Sequence, residues 1–344
     1  MRATSHLAEF VTKSRWEDCP AEAVEAARRA ILDCLGVMLA GSVEPAARLV
    51  TDVARAEGGS PLATVVGTPL RTGAVWAALA NGTAAHALDF DDTNFAMMGH
   101  PSAPVLAALL AREGFTASEQ AIEGPQGYFA VLGAGKREEQ HLESLGAPWK
   151  ILTSGVAVKP YPSCACTHSI IENALELQRT HRITPEQIAE VTVGVHAAVP
   201  RILIHSRPRS GLEAKFSGEF SAAAALCEGR VGMATFRDDK TDDPAIAKLM
   251  RRVRLVVDPE IPGDMERHMW TRVTVRFQDG REVSIAPRPV PGHPELPLSK
   301  DQLREKFMDC ARLVLSEDRA DTVRQMLEEL DACPDLRSLT AILS

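Results

Sequence analysis

Both ends of the chain carry apolar residues at helical spacing, whereas the middle alternates between apolar and polar residues, and this order restricts the possible folds. Residues 20–49 and 298–343 place apolar side chains three or four positions apart, as amphipathic helices do. Residues 188–197 alternate like a strand, and 271–287 form two alternating runs joined by an Asp-Gly pair at 279–280, which predicts a β-hairpin. The predicted fold is mainly α with an α+β second domain.

The domain plan follows from this order and from the length. A chain of 344 residues exceeds the size at which one hydrophobic core keeps growing, so we expect two domains. The helical ends predict an all-helical domain built from residues 1–154 and 290–344. The mixed middle, residues 155–289, predicts a smaller α+β domain inserted between them.

Charge and composition exclude several classes of partner. The net charge is -8, whereas nucleic acids and anionic membranes bind clustered Lys and Arg, so neither is an expected partner. The first twenty residues have no apolar signal-peptide core, and no uncharged apolar run is long enough to span a membrane. Seven cysteines, an odd number, predict reduced thiols. We therefore expect a soluble, cytoplasmic protein.

The stretch AHALDFDDTNFAMMGHPSAP, residues 85–104, concentrates ionisable groups at a junction between two predicted helices. Several such groups at one junction are costly without a role, which favours an acid/base site. Alternatively, the aspartates cap a helix and the histidines satisfy core hydrogen bonds. A magnesium or calcium site is a weaker alternative, because no phosphate-binding motif or calcium loop accompanies the acids, so no metal is expected. The groups concerned are His86, Asp89, Asp91, Asp92 and His100.

A second cluster, KPYPSCACTH at residues 159–168, places a cation, a thiol and an imidazole at the start of a predicted helix. Lys159 can neutralise a carboxylate, and Cys164 and His168 can line a pocket or exchange protons. The alternative is a loop with a chance cysteine. Cys164-x-Cys166 is a weak metal half-site, because its spacing differs from CxxC and no second pair follows.

In order along the chain, these segments resemble the MmgE/PrpD family, which includes 2-methylcitrate dehydratase, cis-aconitate decarboxylase and iminodisuccinate epimerase. The resemblance implies an all-helical domain from both chain ends, an α+β lid and a homodimer. It also implies metal-free and cofactor-free chemistry on small di- or tricarboxylates. The motifs are ILDCLG (31–36), NGTAAHALDFDDT (81–93), GHPS (99–102), GFTASEQAIEGPQGYF (114–129), KPYPSC (159–164), EAKFS (213–217) and PGHPELPLSKDQLREKF (291–307).

The resemblance carries over to individual residues. Asp89, Thr93 and His100 match active-site positions on the helical side, and Lys159 and Cys164 match positions on the lid side. The implied roles make Asp89, His100 and Lys159 catalytic. His100 removes a proton next to a carboxylate, Asp89 orients it or donates to the leaving group, and Lys159 holds a carboxylate. The expected substrate-binding residues are Thr93, Cys164, His168 and Lys215.

The chain also departs from the family. Members normally carry a long helical stretch before the GFT segment, with further active-site groups, whereas here LAALLA runs almost directly into REGFTASEQAIEG. Phe220 stands where a tyrosine is common. The expected function is a lyase resembling 2-methylcitrate dehydratase, with a decarboxylase or epimerase as alternatives within the class. A shortened, catalytically silent binding or vestigial protein is the alternative outside it, and a chain whose internal stretch is not represented is a third possibility.

Overall fold

The computed structural model describes residues 3–94, 99–101, 145–261, 263, 269–332 and 336–343. Within these residues the chain is mainly helical with a smaller α+β part, which confirms the predicted fold class. The helices are α1 (Ala3–Lys13), α2 (Ala21–Gly41), α3 (Pro45–Glu57), α4 (Ala74–His86), α5 (Lys150–Thr153), α6 (Ala165–His181), α7 (Gly211–Ala214), α8 (Gly218–Glu228), α9 (Asp238–Thr241), α10 (Pro244–Met250), α11 (Lys300–Ala311), α12 (Glu317–Glu328) and α13 (Leu336–Ile342). The strands are β1 (Ala63–Thr64), β2 (Arg71–Thr72), β3 (Ile188–Val195), β4 (Val253–Val257), β5 (Arg272–Phe277) and β6 (Glu282–Ile285).

Helices from the two ends of the chain pack together around α2. This helix contacts α4 on one side and α11 on another, and two glycines permit the close crossings. A Cβ atom at Gly36 would lie 2.9 Å from the Phe307 ring of α11, and one at Gly41 would lie 1.9 Å from the carbonyl oxygen of Ala84 on α4. A larger residue at position 41 would therefore force α4, which leads into the acidic stretch, away from α2.

The middle of the chain forms a four-stranded sheet in the order β4-β3-β5-β6. Strand β3 is parallel to β4 and antiparallel to β5. Strands β5 and β6 form the predicted hairpin, with Gly280 of its turn at a φ of 87°. Helices α6 and α8 pack against this part, and buried aliphatic side chains of helices and strands share one core.

Some local predictions differ from the structure. Thr72 precedes an alanine-rich run to about Leu88, which predicts a helix capped by Thr72, but Thr72 lies in β2, and its hydroxyl donates to the carbonyl of Gly58 at 2.7 Å. Gly73 is the N-cap of α4 instead. Ser102 and Pro104 suit the start of a further helix, predicted to reach about Glu113. That stretch and the segment at 114–129 lie outside the described residues. The domain boundaries at 155 and 290 stay predictions.

No single helix among the described residues is both long enough and apolar enough to cross a membrane. Helices α2 and α3 together meet the length and composition test, but they are bent 83° from each other.

A buried ion pair links α2 to α11 within the helical part. The Lys306 ammonium lies 2.6 Å from an Asp33 carboxylate oxygen, and both side chains are buried. Burial raises the pKa of Asp33 to about 6, even though Lys306 opposes the shift. The burial penalty of Asp33 therefore exceeds the attraction of Lys306, and loss of Lys306 would leave that penalty without compensation.

We predict that Lys306→Met lowers the free energy of unfolding by about 3–5 kcal/mol at pH 8, because Asp33 would be left charged and buried without a partner. At pH 5 the loss should be smaller, because an unpaired Asp33, with a pKa higher still, would be protonated in the folded state. Urea unfolding at the two pH values measures both quantities. Lys300→Met, at the exposed start of the same helix, is the matched control. A loss below about 1 kcal/mol, or equal losses at both pH values, would contradict the prediction.

Candidate active site

The acidic stretch leaves α4 at His86 and is joined at once to the segment that carries Lys159. Thr93 and Ala157 exchange two backbone hydrogen bonds, each 2.8 Å long. This antiparallel bridge fixes the register between the two segments, so Lys159, two residues beyond Ala157, is brought against Asp89. The two motifs that the sequence analysis treated separately therefore form one structural unit.

Three lysine ammonium groups bind three successive backbone carbonyls of this stretch. Lys215 donates to the carbonyl of Leu88 at 2.6 Å, Lys159 to that of Asp89 at 2.9 Å, and Lys306 to that of Phe90 at 2.9 Å. All three lysine side chains are buried. We call this arrangement the lysine cage. Lys306 also lies 3.9 Å from the centroid of the Phe90 ring, a favourable cation–π distance.

The lysine cage holds Asp89 in a backbone conformation that residues other than glycine rarely adopt. The φ of Asp89 is 50°, in the left-handed region, which Asp tolerates better than most residues but still disfavours. The charge-assisted hydrogen bonds to the carbonyls on either side offset this cost. They also fix the direction in which the Asp89 carboxylate points.

The Asp89 carboxylate is half satisfied. Its Oδ1 accepts a hydrogen bond from the Lys159 ammonium at 2.5 Å. Its Oδ2 is buried and has no hydrogen-bond partner among the described residues. A buried carboxylate oxygen without a partner is costly and marks a place where a ligand can supply the missing donor.

His100 is held beside Asp89 with one ring nitrogen engaged and the other facing the carboxylate. Its Nδ1 lies 2.9 Å from the carbonyl oxygen of Asp92, which can only accept, so the proton of the neutral ring is on Nδ1. Its Nε2 lies 4.0 Å from Asp89 Oδ1. Neutral His100 therefore presents an unprotonated nitrogen towards Asp89, as a general base requires.

A second histidine and a second aspartate complete this group. His86 Nδ1 lies 3.0 Å from Asp91 Oδ1, and His100 Nδ1 lies 3.3 Å from Asp91 Oδ2. Burial raises the pKa of Asp91, but the hydrogen bonds from both imidazoles outweigh it and hold that pKa well below its usual range. Asp91 is thus an anion shared by two histidines.

The four side chains His86, Asp89, Asp91 and His100 place a nitrogen or oxygen each within 4.8 Å of one another, as metal ligands do. The hydrogen bonds of this group argue against a metal. The Lys159 ammonium already neutralises Asp89 at 2.5 Å, and a metal cation there would be repelled by it. The expectation of metal-free chemistry stays a prediction.

On the lid side, His168 is buried, and its Nε2 donates to the carbonyl oxygen of Ser163 at 3.0 Å. Burial, followed by the charge of Lys159, lowers the pKa of His168 to about 3, so the ring is neutral. Together with Lys159 and the buried Thr93 hydroxyl, which has no hydrogen-bond partner in the described structure, it lines a cavity of about 30 Å³. This space is on the scale of a water molecule.

Lys215 lines a different and larger cavity, of about 920 Å³. Burial lowers the pKa of Lys215, opposed by the charges of Asp89 and Glu44. The predicted site residues thus meet around Asp89 but do not share a single cavity among the described residues: Thr93, Lys159 and His168 lie on one side, and Lys215 lies at the other.

Asp33 and Lys306 were not among the predicted site residues. Lys306 binds the Phe90 carbonyl of the acidic stretch and is itself paired with Asp33. A signal was present, because each is a charged residue inside the apolar stripe of a helix, in ILDCLG and in REKF. A buried charge in a core helix needs a partner of opposite charge. Their pairing with each other, across 273 positions, could not be read from spacing.

Comparison with known proteins finds two family models that match most of the chain. The MmgE/PrpD N-terminal domain matches residues 5–111, which include Asp89, Thr93 and His100. The MmgE/PrpD C-terminal domain matches residues 161–332, which include Cys164, His168 and Lys215. Lys159 lies between the two matched segments.

Three curated proteins are similar to this chain. Cis-aconitate decarboxylase of Mus musculus is 26% identical over 243 residues, covering 69% of this chain and 49% of the relative. The Homo sapiens protein of the same name is 24% identical, covering 69% and 50%. Cis-aconitate decarboxylase-like protein oryM of Aspergillus oryzae is 25% identical, covering 70% and 52%. The chain spans about half the length of the curated relatives it matches.

The thiols of the site should differ in reactivity from those elsewhere. A hydrogen bond from Cys166 lowers the pKa of Cys164, whereas burial raises that of Cys227 to about 12. Both thiols are partly exposed. We therefore predict that iodoacetamide at pH 7.5 labels Cys164 at least about 10-fold faster than Cys227. Mass spectrometry of tryptic peptides measures both labelling rates. Cys166→Ala should slow the labelling of Cys164, and faster labelling of Cys227 would contradict the prediction.

Proposed function

The chain belongs to the MmgE/PrpD family, and from this premise we propose that it is a lyase acting on small tricarboxylates. In this proposal the shared chemical step is proton transfer at a carbon next to a carboxylate. The observation that carries it is the placement of His100, whose unprotonated Nε2 faces the Asp89–Lys159 pair at 4.0 Å.

The proposed roles follow from the contacts. His100 exchanges the carbon-bound proton through Nε2, while Nδ1 stays on the Asp92 carbonyl and Asp91 balances the charge of the imidazolium. This is the arrangement of a general base oriented by its second nitrogen. Lys159 and the Thr93 hydroxyl bind a substrate carboxylate, since both face the same small cavity.

Asp89 is proposed to bind a hydroxyl group of the substrate. Its Oδ2 lacks a partner among the described residues, so a substrate hydroxyl would satisfy it. In a dehydration, His100 removes the proton, the carbon–oxygen bond breaks, and the hydroxyl leaves as water with a proton from the Asp89–Lys159 pair. The Lys159 ammonium, held beside the hydroxyl by Asp89 Oδ1, is the source of this proton. Lys159 regains a proton from solvent and His100 releases the one it took, so the enzyme returns to its starting state.

Two reactions within this class fit the same groups. Dehydration of a 2-methylcitrate-like substrate is the reaction expected from the sequence motifs. Decarboxylation of cis-aconitate is favoured by the names of the similar curated proteins. There a carboxylate leaves as carbon dioxide, and protonated His100 delivers its proton to the carbon that keeps the electron pair. An epimerase would use the same proton transfer without a leaving group.

Substrate binding would require the site to open. The cavity of about 30 Å³ beside Thr93 and Lys159 is too small for a six-carbon tricarboxylate. We propose that the walls formed around Trp270 and His293 separate from Thr93 when the substrate binds.

A homodimer, implied by the family, is part of the proposal. Each of two neighbouring helices carries a pair of exposed apolar side chains spaced one turn apart. The pairs are Leu49 with Val53 on α3 and Val75 with Leu79 on α4. Exposed apolar side chains of this kind are typical of surfaces that pack against another chain.

We predict that the protein turns over cis-aconitate or 2-methylcitrate and that His100→Gln lowers kcat/KM by about 10²–10⁴-fold, the usual contribution of a positioned base. His181→Gln, an exposed histidine at the end of α6, should leave the rate unchanged. A panel of citrate, 2-methylcitrate and cis-aconitate, followed by proton NMR, tests this.

The same panel separates the proposed lyase from a silent family member. Calorimetric binding of a tricarboxylate without any turnover would favour the binding protein and contradict the lyase. Turnover that His100→Gln leaves intact would contradict the role of His100.

We also predict that turnover is unchanged after exhaustive dialysis against EDTA. The Lys159 ammonium already neutralises Asp89, and His100 Nδ1 is engaged by the Asp92 carbonyl, so neither group is available to bind a metal ion. Rates before and after chelation, with metal content measured by mass spectrometry, test this. A loss of activity that zinc, iron or magnesium restores would contradict it.

A further inference from the structure

Two imidazoles share one carboxylate at the end of α4. His86 contacts both oxygens of Asp91, at 3.0 and 3.1 Å, and His100 contacts one of them at 3.3 Å. The centroids of the two imidazole rings are 4.4 Å apart, in an edge-to-face arrangement. His86 is the last residue of α4 and lies outside the roles assigned to His100, Asp89 and Lys159.

The two histidines differ in their access to water. The side chain of His86 is 54% exposed and that of His100 is 27% exposed, whereas Asp91 between them is 2% exposed. Only the exposed ring of His86 can exchange its outer proton readily with solvent. His100 is the histidine that faces Asp89 and Lys159.

The charges around His86 favour its protonation. The hydrogen bond that His86 donates to Asp91 raises the pKa of His86 more than burial lowers it, and the charge of Asp89 adds to the rise while Lys159 opposes it. Two imidazolium ions with rings 4.4 Å apart would repel each other. A single carboxylate can neutralise only one of them at a time.

We propose that His86 is a positioning residue for His100, and that the two imidazoles compete through Asp91 for a single proton. While His86 carries the proton, His100 stays neutral with Nε2 free. When His100 gains a proton, His86 loses its outer Nε2 proton to water, and the charge of the group stays constant.

Applied to catalysis, this inference rests on the proposed function. The proton that His100 removes from carbon then adds little net charge to a half-buried site, since His86 releases a proton to solvent in the same cycle. A protonated His86 therefore favours the unprotonated form of His100, and its exposed ring provides the route by which the site exchanges its proton with water.

The test is an NMR titration of the imidazole groups in the absence of substrate, using wild-type protein, His86→Gln and His100→Gln. Removing His86 should raise the proton affinity of His100 about 3–10-fold, a range below the unscreened Coulomb value because His86 is half exposed. When the wild-type curves are fitted as a coupled pair, with the variants giving the intrinsic affinities, one factor of this size should describe how each protonated histidine lowers the proton affinity of the other.

Two further variants sharpen the experiment. Asp91→Asn should lower the proton affinity of both histidines, because the shared anion is lost. His181→Gln is the matched control and should leave both titrations unchanged. A merely structural disturbance would not give wild-type curves that one coupling factor fits.

An unchanged His100 titration in His86→Gln, or wild-type curves that no single coupling factor fits, would overturn the proposal. If either variant fails to fold, the wild-type curves decide, because coupled histidines each report both steps and independent ones titrate in a single step. The titration needs no turnover. Coupled titration curves of His86 and His100 in a protein that converts no substrate would therefore uphold the coupling while rejecting the lyase. In an active protein, His86→Gln should also move the acid limb of kcat/KM to higher pH.

Discussion

Three buried ammonium groups that bind three successive carbonyls are the interaction on which the rest of the site depends. Lys215, Lys159 and Lys306 come from three distant parts of the chain, and each reaches one carbonyl of Leu88–Phe90. Backbone carbonyls are neutral dipoles, but a charged donor roughly doubles the strength of each hydrogen bond. The lysine cage therefore ties the lid side and the C-terminal helices to the one segment that carries Asp89.

The lysine cage also explains how so many aspartates can be buried together. Asp33, Asp89 and Asp91 are all buried, and each would be costly if left alone. Asp33 is paired with Lys306, Asp89 with Lys159, and Asp91 with two histidines. The ammonium groups thus perform two functions, because each holds backbone in place while two of them also neutralise a carboxylate. The electrostatic environment of His100 is therefore set by charged groups that lie within a few ångströms of its ring, Asp89 and Asp91 among them.

The sequence predicted the elements better than the contacts between them. The helical ends, strand β3 and the β5–β6 hairpin follow from local periodicity and turn chemistry, which act over a few residues. The proximity of His100 and Asp89 was expected because both lie at one junction. The binding of Lys306 to the Phe90 carbonyl, across 216 positions, and the left-handed Asp89 have no local signal. Thr72 was misassigned because a short strand pairing competed with its use as a cap.

The sequence does not show the long helical stretch that the family resemblance places before the GFT segment, and the chain spans about half the length of the curated relatives it matches. The question is what that departure means for the site. The groups that position Asp89 all lie outside that stretch, because they come from α2, the bridge at Ala157, the end of α7, and α11. The conformation of Asp89 and its pairing with Lys159 therefore do not need that stretch. The proton of His100 is likewise directed by Asp91 and Asp92, from the same short loop. The resemblance implies further active-site groups in that stretch, so for the proposed lyase we expect weaker substrate binding and turnover, with the base still held in place.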